Sequence, residues 1–366
     1  MRIHVDKRKW YWTIGIVNGV LLVLAIVCAC VMAWITGRLD SLDAADRWRG
    51  NNEMKFAQVA CFLPVDEAKT QEDIWQFRRT LDQKLVEASL TAPEGGSLYR
   101  DAWSASGKVK VEAEHGKADV QAIGVGGDFF LFHPLDLRCG TYLKESDLMQ
   151  DRVILDEELA WQLFGGWDVA GMTVTINGKP FNVAGVIHRE DDFASTKAYQ
   201  DGPGLFMSFD ALRQLTEHNI TTYEIVLPNM ISGFGFNLVK ENFPVGGGVL
   251  VENSRRYGLK NLFRVIGDFG QRSMGRSGVI YPYWENAVRM TEDYLAMLLV
   301  LVLLFVLIPV LTALVLVIGS ITKTGRYVKK KVPAMADSMV EKHREARYEK
   351  MTHQDEEIDI LEDILE

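Results

Sequence analysis

The chain has 366 residues, 48% of them apolar, and a formal net charge of −9, so it is long enough to bury a sizeable core. The acidic balance excludes an ordinary nucleic-acid binder, because phosphates reward lysine and arginine. With four cysteines, two of them (Cys28 and Cys30) inside an apolar run, a disulfide scaffold is excluded as well.

In chain order, Arg2, Lys7, Arg8 and Lys9 precede an uncharged run from Ile14 to Ile35. A helix rising 1.5 Å per residue needs about 20 residues to cross the hydrocarbon, so this run is long enough to span. It lacks the shorter apolar core and small-residue cleavage site of a signal peptide and continues into GRLDSLDAADRW, so it reads as a retained anchor. Gly15 and Gly19 form a GxxxG pair, and Ala25, Ala29 and Ala33 recur every fourth residue, a pattern that permits close helix packing.

Lys55 to Leu63 reads as a strand stopped by Pro64. Thr70 then caps a helix whose Ile74, Phe77, Leu81 and Leu85 share one face, and Lys108 to Glu114 alternates as a strand. Val153 to Leu155 predicts a short strand; Asp156 caps a helix from Glu157 to Phe164, and Gly165-Gly166 end it. Met172, Val174 and Ile176 alternate into the Asn177-Gly178 turn, and Phe181 and Val183 return. A second strand, helix, strand unit is expected from Tyr223–Leu227, Met230–Asn242 and Val249–Glu252, with Gly233 and Gly235 weakening its helix.

Cys61 shares strand parity with Val59 and Leu63, which points to a buried thiol, while a Cys61–Cys139 bridge stays open outside the cell. His188, Glu190, Asp191 and Asp192 have the chemistry of a cation site but follow the hairpin as a solvated loop would. His115 and His133 have no partner visible in the sequence. No nucleophile elbow and no GxxxxGK[ST] phosphate loop occurs, so neither a catalytic residue nor a cofactor or metal site is expected, and the chain reads as a non-enzyme. Arg255, Arg256, Arg264, Arg272 and Arg276 suit lipid headgroups, an acidic partner or ordinary surface charge.

A second uncharged run follows Asp293 as far as Ile321 and holds Pro309, a candidate kink or hinge. Lys323, Arg326, Lys329, Lys330 and Lys331 come next, and basic flanks on both runs place both termini in the cytoplasm and the segment from about Gly37 to Met290 outside. Trp10, Tyr11, Trp12, Trp34, Tyr281, Tyr283, Trp284 and Tyr294 bracket the two runs as interface belts do. Both runs are extendable as helical stalks, with Pro282 suited to a first turn; interfacial turns are the alternative. Near the C-terminus, DEEIDILEDILE sets Ile358, Leu361 and Leu365 at helical spacing, either as a docking stripe for a cytoplasmic partner or as a solvated acidic tail.

The phrases VQAIGVGGDFFLFHPLDLRCGTYL and VILDEELAWQLFGGWDVAGMTVTINGKPFNVAGVI resemble the extracytoplasmic core domain of the MacB and FtsX-like permease superfamily of ABC transporters. The resemblance covers the first span and the outer domain to about Leu215. It implies an α+β membrane protein of the bacterial cytoplasmic membrane whose two transmembrane helices flank an extracytoplasmic domain. That domain would comprise a porter-like α/β subdomain with an inserted β-rich subdomain. On this expectation residues 1–12 are a cytoplasmic N-terminus, 13–36 and 293–321 the membrane helices, and 37–54 and 257–292 stalks or linkers. Residues 55–117 and 216–256 form the porter-like halves, 118–215 the β-rich insert and 322–366 a cytoplasmic tail.

The resemblance also implies a mechanism: ATP-driven closure of a partner ABC ATPase moves the outer domain through the membrane helices. The family carries further membrane helices after the second, so either a further permease subunit or a homodimer partner is expected beside the ATPase and membrane lipid, or the chain is a reduced, permease-like component; nucleic acid is not expected. A membrane-tethered sensor or ligand-binding protein is the alternative, since two spans around an outer domain also build receptors.

Overall fold

The computed structural model of the chain describes residues 7–37, 42–51, 53–92, 96–144, 147, 149–198, 204–270, 272 and 278–363. Residues 28–300 form one compact unit, and residues 1–27 with 301–366 form another. The second unit contains most of two apolar helices, α1 (Lys7–Thr36) and α10 (Tyr283–Asp363), each with a window long and apolar enough to cross a membrane. α10 runs unbroken past Pro309 and Pro333 into the basic stretch beyond Lys323.

In the larger unit, α2 (Ala44–Arg49) leads to β1 (Phe56–Phe62), α3 (Gln71–Glu87) and β2 (Arg100–Ala113). Then come β3 (Gly116–Gly127), α4 (Phe129–Phe132), β4 (Asp136–Gly140), β5 (Arg152–Asp156) and α5 (Glu157–Phe164). The chain continues through β6 (Thr173–Ile176), β7 (Lys179–His188), α6 (Phe193–Ala198), β8 (Gly204–Ser208) and α7 (Phe209–Thr216). β9 (Thr222–Pro228), α8 (Phe234–Asn242), β10 (Val249–Glu252) and α9 (Leu259–Asp268) complete it.

Local chemistry sets these boundaries. Thr70 accepts from the Asp73 amide while the Asp73 carboxylate accepts from the Thr70 amide, a reciprocal cap that holds the Asp73 carboxyl below its ordinary range. The face buried behind that cap is Ile74, Phe77, Leu81 and Leu85, as the periodicity predicts. Asp156 caps α5 by accepting from the Leu159 amide at 2.6 Å. At the Asn177-Gly178 turn both residues have positive φ, 45° and 83°, the geometry a two-residue hairpin loop requires. α8 begins four residues later than the expected Met230, because Gly233 takes φ 87° and serves as its N-cap.

The sheet order is β10-β1-β9-β2-β3-β8-β5-β7-β4, with β6 bridging β2 and β7. Its first four strands are antiparallel neighbours, so β1 and β2 run parallel on either side of β9 and β9 and β10 run parallel on either side of β1. With α3 and α8 as crossovers, these are two interleaved split βαβ units. β2 then changes partners along its length: Arg100–Ser104 pair with β9, whereas Val111 and Glu112 pair with β6. Through β6 the strands β2, β3, β8, β5, β7 and β6 close a six-stranded ring. The expected boundary at residues 117–118 therefore falls inside the β2–β3 hairpin, whose strands pair from Ala102 with Gly127 to Ala113 with Gly116.

One apolar cluster covers a face of the whole sheet, from Val59 and Cys61 through Val111 and Val120 to Phe181 and Met207, roofed by α3, α5, α7 and α8. Cys61 is a buried free thiol in it, pushed up in pKa by burial and then by Glu224, and Cys139 is also free, donating to the Trp167 carbonyl. The opposite face, with Ala102, Val125, Ile154, Phe206 and Val226, is covered by Ala44, Ala45, Phe129, Phe132 and Trp284.

Leu81→Ala is expected to cost about 2–5 kcal/mol, through lost burial and a cavity. Thr70→Ala should cost only about 1 kcal/mol, the loss of a cap. Thermal melting of the purified chain in detergent orders the two; equal losses would mean that α3 is not held chiefly by its buried face.

Candidate functional site

The chain enters and leaves the folded domain through α2 and through the first three turns of α10, and polar groups anchor both. On the entry side the Ala44 amide donates to the buried Gln58 side chain at 3.1 Å. Arg47 donates to the carbonyls of Leu131 and Phe132 at 2.9–3.1 Å, and Arg100 lies over the Trp48 ring at 4.6 Å. α1 ends at Thr36 and α2 packs separately on the sheet, so no continuous helix follows the first apolar run. α10 begins at Tyr283 and continues into the second apolar run, and the Asn286 amide donates to the Pro282 carbonyl just ahead of it.

On that side a buried ion network grips the helix. The Arg256 guanidinium, carried by the turn after β10, donates to Glu285 at 2.6 and 2.7 Å and to Glu292 at 3.0 Å, and also to the Asn253 side chain. Arg272 donates to Glu292 at 2.6 Å and lies 3.3 Å from Asp293. Arg256, Glu285 and Glu292 are each less than 5% exposed. Seven residues separate the two glutamates, two turns of α10, so both reach one guanidinium from the same helix face.

Electrostatics differs between the partners. Burial works against the Arg256 charge, but Glu285 and Glu292 outweigh it and hold the guanidinium above its ordinary range. Burial pushes the Glu285 carboxyl up, with Arg256 only partly opposing it. For Glu292 burial pushes upward too, but two arginines prevail and hold it below the ordinary range. The sequence reading of Arg256 and Arg272 as surface or lipid-facing charge is thereby corrected: both are turned inward onto carboxylates 20 to 36 residues away. Arg255 and Arg276 lie outside the described side chains.

Next to Glu285 on the helix, the Trp284 ring lies 4.5 Å from that of His133 at a tilt of 43°, and His133 also lies 4.7 Å from Phe129. His133 Nε2 lies 2.5 Å from Glu224 Oε2, and both residues are buried. His133 thus has a partner 91 residues away, on β9, which no local pattern could reveal. Behind it, Asp101 receives two hydrogen bonds from Arg78 and one from Tyr223, locking α3, β2 and β9 together.

The remaining residues singled out in the sequence lie elsewhere. On α1 the better-covered stripe is Ile14, Asn18, Leu21, Ala25, Cys28, Met32 and Ile35; Ala25 is buried, while Gly15, Gly19, Ala29 and Ala33 are exposed. Asn18 accepts from Thr312 at 3.5 Å. Pro309 is half-buried within α10; Ile358 and Leu361 lie on that helix with undescribed side chains, and Leu365 is outside the described residues. His188 bonds Glu157 at 2.8 Å and Asp192 caps α6, and among the described residues no group of three or more His, Cys, Asp or Glu side chains is placed to hold a metal. A cleft of about 200 Å³ is lined by Trp75, Trp103, Phe130, Gln150, Arg152 and Asp210. Ligand pockets usually run about 300–1,000 Å³, so it is small for a drug-sized guest.

A family model described as the MacB-like periplasmic core domain matches residues 13–232. No curated protein matches the chain. Among solved structures, the periplasmic region of MacB from Actinobacillus actinomycetemcomitans aligns at 15% identity and TM-score 0.38, over 60% of this chain and 94% of that one. The extracellular domain of the ABC-type transporter YknZ from Gram-positive bacteria aligns at 16% identity and TM-score 0.35, over 52% and 90%.

Glu292→Gln is expected to destabilise the domain by about 3–5 kcal/mol, because it removes charge from one side of a buried network. Toward the acid end of the range Glu285→Gln should cost less than Glu292→Gln, since burial raises the Glu285 carboxyl while two arginines lower that of Glu292, so Glu285 gives up its charge first as pH falls. The Glu292 contribution, with a lowered folded pKa, is present above the ordinary glutamate value of about 4.3 and lost as pH falls through the folded pKa. Melting temperatures of both variants across pH 3–7 check the order and the sign.

Proposed function

The protein belongs to the MacB-like periplasmic core domain family, and from that premise we propose that it is a permease-like subunit of an ABC-type transporter complex in a bacterial cytoplasmic membrane. Its outer domain moves when a partner ATPase turns over in the cytoplasm. The two split βαβ units are its porter-like lobe and the six-stranded ring its β-rich lobe. Both chain ends face the cytoplasm, as the basic flanks direct. An ABC ATPase meets the chain there, with Ile358, Leu361 and Leu365 as a contact stripe, and a further permease subunit or a second copy completes the membrane part. Pro309 is the hinge position in the second span.

The observation that carries this reading is the clamp on α10. Two glutamates two turns apart share a buried arginine, and Trp284 is wedged against His133 beside them. Dislodging the helix would strand a buried guanidinium, at a cost of about 3–5 kcal/mol. A push along α10 therefore moves the domain instead of being absorbed at the junction. By contrast, a loop at this point would dissipate the displacement. The other reading, a membrane-tethered binding protein, draws on the cleft at Trp103, whose small volume disfavours it.

Affinity purification from native membranes in mild detergent is expected to recover an ABC ATPase with the chain, and spin labels on the outer domain should report a nucleotide-dependent displacement that is reduced in Arg256→Ala. Recovery of the chain alone, with labels indifferent to nucleotide, would favour the binding-protein reading. Impermeant thiol labelling of cysteines placed at Asn177 and Lys330 checks the topology: only the first should react in intact cells.

A further inference from the structure

α9 packs by a narrow stripe and is apolar over a wider one. Its buried contacts are Leu262 and Val265, and Leu262 lies in a cluster with Leu295 and Leu299 of α10, with Met32 and Ile35 of α1 packed against it. These are the ends of the two apolar helices nearest the folded domain. Beside the buried stripe, Leu259, Phe263 and Ile266 follow at i, i+4 and i+7, so they line a second, adjacent face. Of these Leu259 is 64% exposed and Phe263 53%, while Ile266 is half-buried. Lys260 and Arg264 are exposed on the next face round the helix. Reading round the cylinder, the order is packed apolar, exposed apolar, basic.

Another short helix repeats the arrangement beside α10. α6 packs Ala194 and Ala198 against Ala287, and leaves Phe193 exposed, 5.2 Å from Tyr294. Lys197 lies over the Phe193 ring at 3.7 Å. Tyr294 is where the charge-free run of α10 begins. Both helices therefore sit at the level where α10 turns apolar, and each sets an exposed phenylalanine beside a lysine. A headgroup layer rewards this arrangement, aromatic rings at the acyl boundary and cations at the phosphates.

We propose that α9, assisted by the Phe193–Lys197 corner of α6, is a lipid-surface collar. It lies in the outer headgroup layer with Leu259 and Phe263 among the acyl-chain ends, at a depth of about 5–10 Å, and with Lys260 and Arg264 at the phosphates. The occupant is phospholipid and not a protein, because the exposed stripe continues the surface of two helix ends that are themselves apolar. This rests on the membrane-spanning reading of α1 and α10. The collar ties this surface of the domain to the outer leaflet.

The test uses the full-length chain reconstituted in vesicles of phosphatidylethanolamine and phosphatidylglycerol, with a benzophenone amino acid placed singly at four exposed positions. These are 263 and 259 on α9, 304 within the apolar run of α10, and 161 on α5, which covers the opposite sheet face. After irradiation, mass spectrometry is expected to find phospholipid adducts at 263, 259 and 304 and none at 161. Lys260→Glu combined with Arg264→Glu should lower the 263 adduct and leave the 304 adduct unchanged. Adducts at 304 but at neither 263 nor 259 would overturn the collar while sparing the spans. Failure at 304 as well would overturn the spans and the collar together. Adducts from 263 to a second copy of the chain would make the stripe a protein interface and also overturn the proposal.

Discussion

A buried guanidinium that leaves its carboxylates gives up short charge-assisted hydrogen bonds, and Arg256 makes such bonds to Glu285 and Glu292 from the turn after β10. This constraint on Arg256 governs how the long helix meets the folded domain. Hydrophobic contacts alone would let α10 slide or rotate by small steps, since apolar packing is nondirectional. An arginine fork shared by Glu285 and Glu292 does not, because its hydrogen bonds fix both rotation and height. Buried ion pairs are weak evidence for stability in general but are well suited to specifying register, and here the register is that of a helix leaving the domain.

The sheet supplies the rigid body behind that junction. β2 belongs to two strand systems at once, the four-stranded split βαβ arrangement at its start and the six-stranded ring at its end. Because its fourteen residues are continuous, the two systems share one lever, and the apolar cluster on one face passes from one to the other without a break. The Asp101, Arg78 and Tyr223 cluster sits where β2 pairs with β9, and the His133–Glu224 pair stands on the opposite face of β9 beside Trp284. Polar contacts inside an otherwise apolar structure thus tie both faces of the sheet, Asp101 to α3 on one and Glu224 to His133 beside Trp284 on the other. That placement suits a domain moved as a whole better than one that closes on a guest.

Much of the local structure was legible because it depends on near neighbours. Thr70 with Asp73, Asp156 with Leu159 and Asn177 with Gly178 are each decided within four residues, and the α3 face from Ile74 to Leu85 follows from helical period alone. Less legible was the first half of β2, RDAWSAS, which is buried on both faces and so lacks the alternation that marks a half-buried strand. The burial that hides it comes from α3 on one face and from Ala44, Phe129 and Phe132 on the other, none of them within the strand. α8 was anticipated too early because Gly233 stops the backbone ahead of it, a left-handed cap that composition suggests but does not locate.

From the order of residues alone followed two apolar helices, the basic flanks, the caps and turns of the outer domain and the family resemblance, all properties of contiguous stretches. Only the tertiary structure decided that β2 serves two strand systems, that Arg256 faces inward onto Glu285 and Glu292, that His133 meets Glu224, and that α9 keeps an apolar stripe uncovered. Each of these depends on which distant surface arrives at a residue, and a charge or ring carries no mark in the sequence of the neighbour that will bury it.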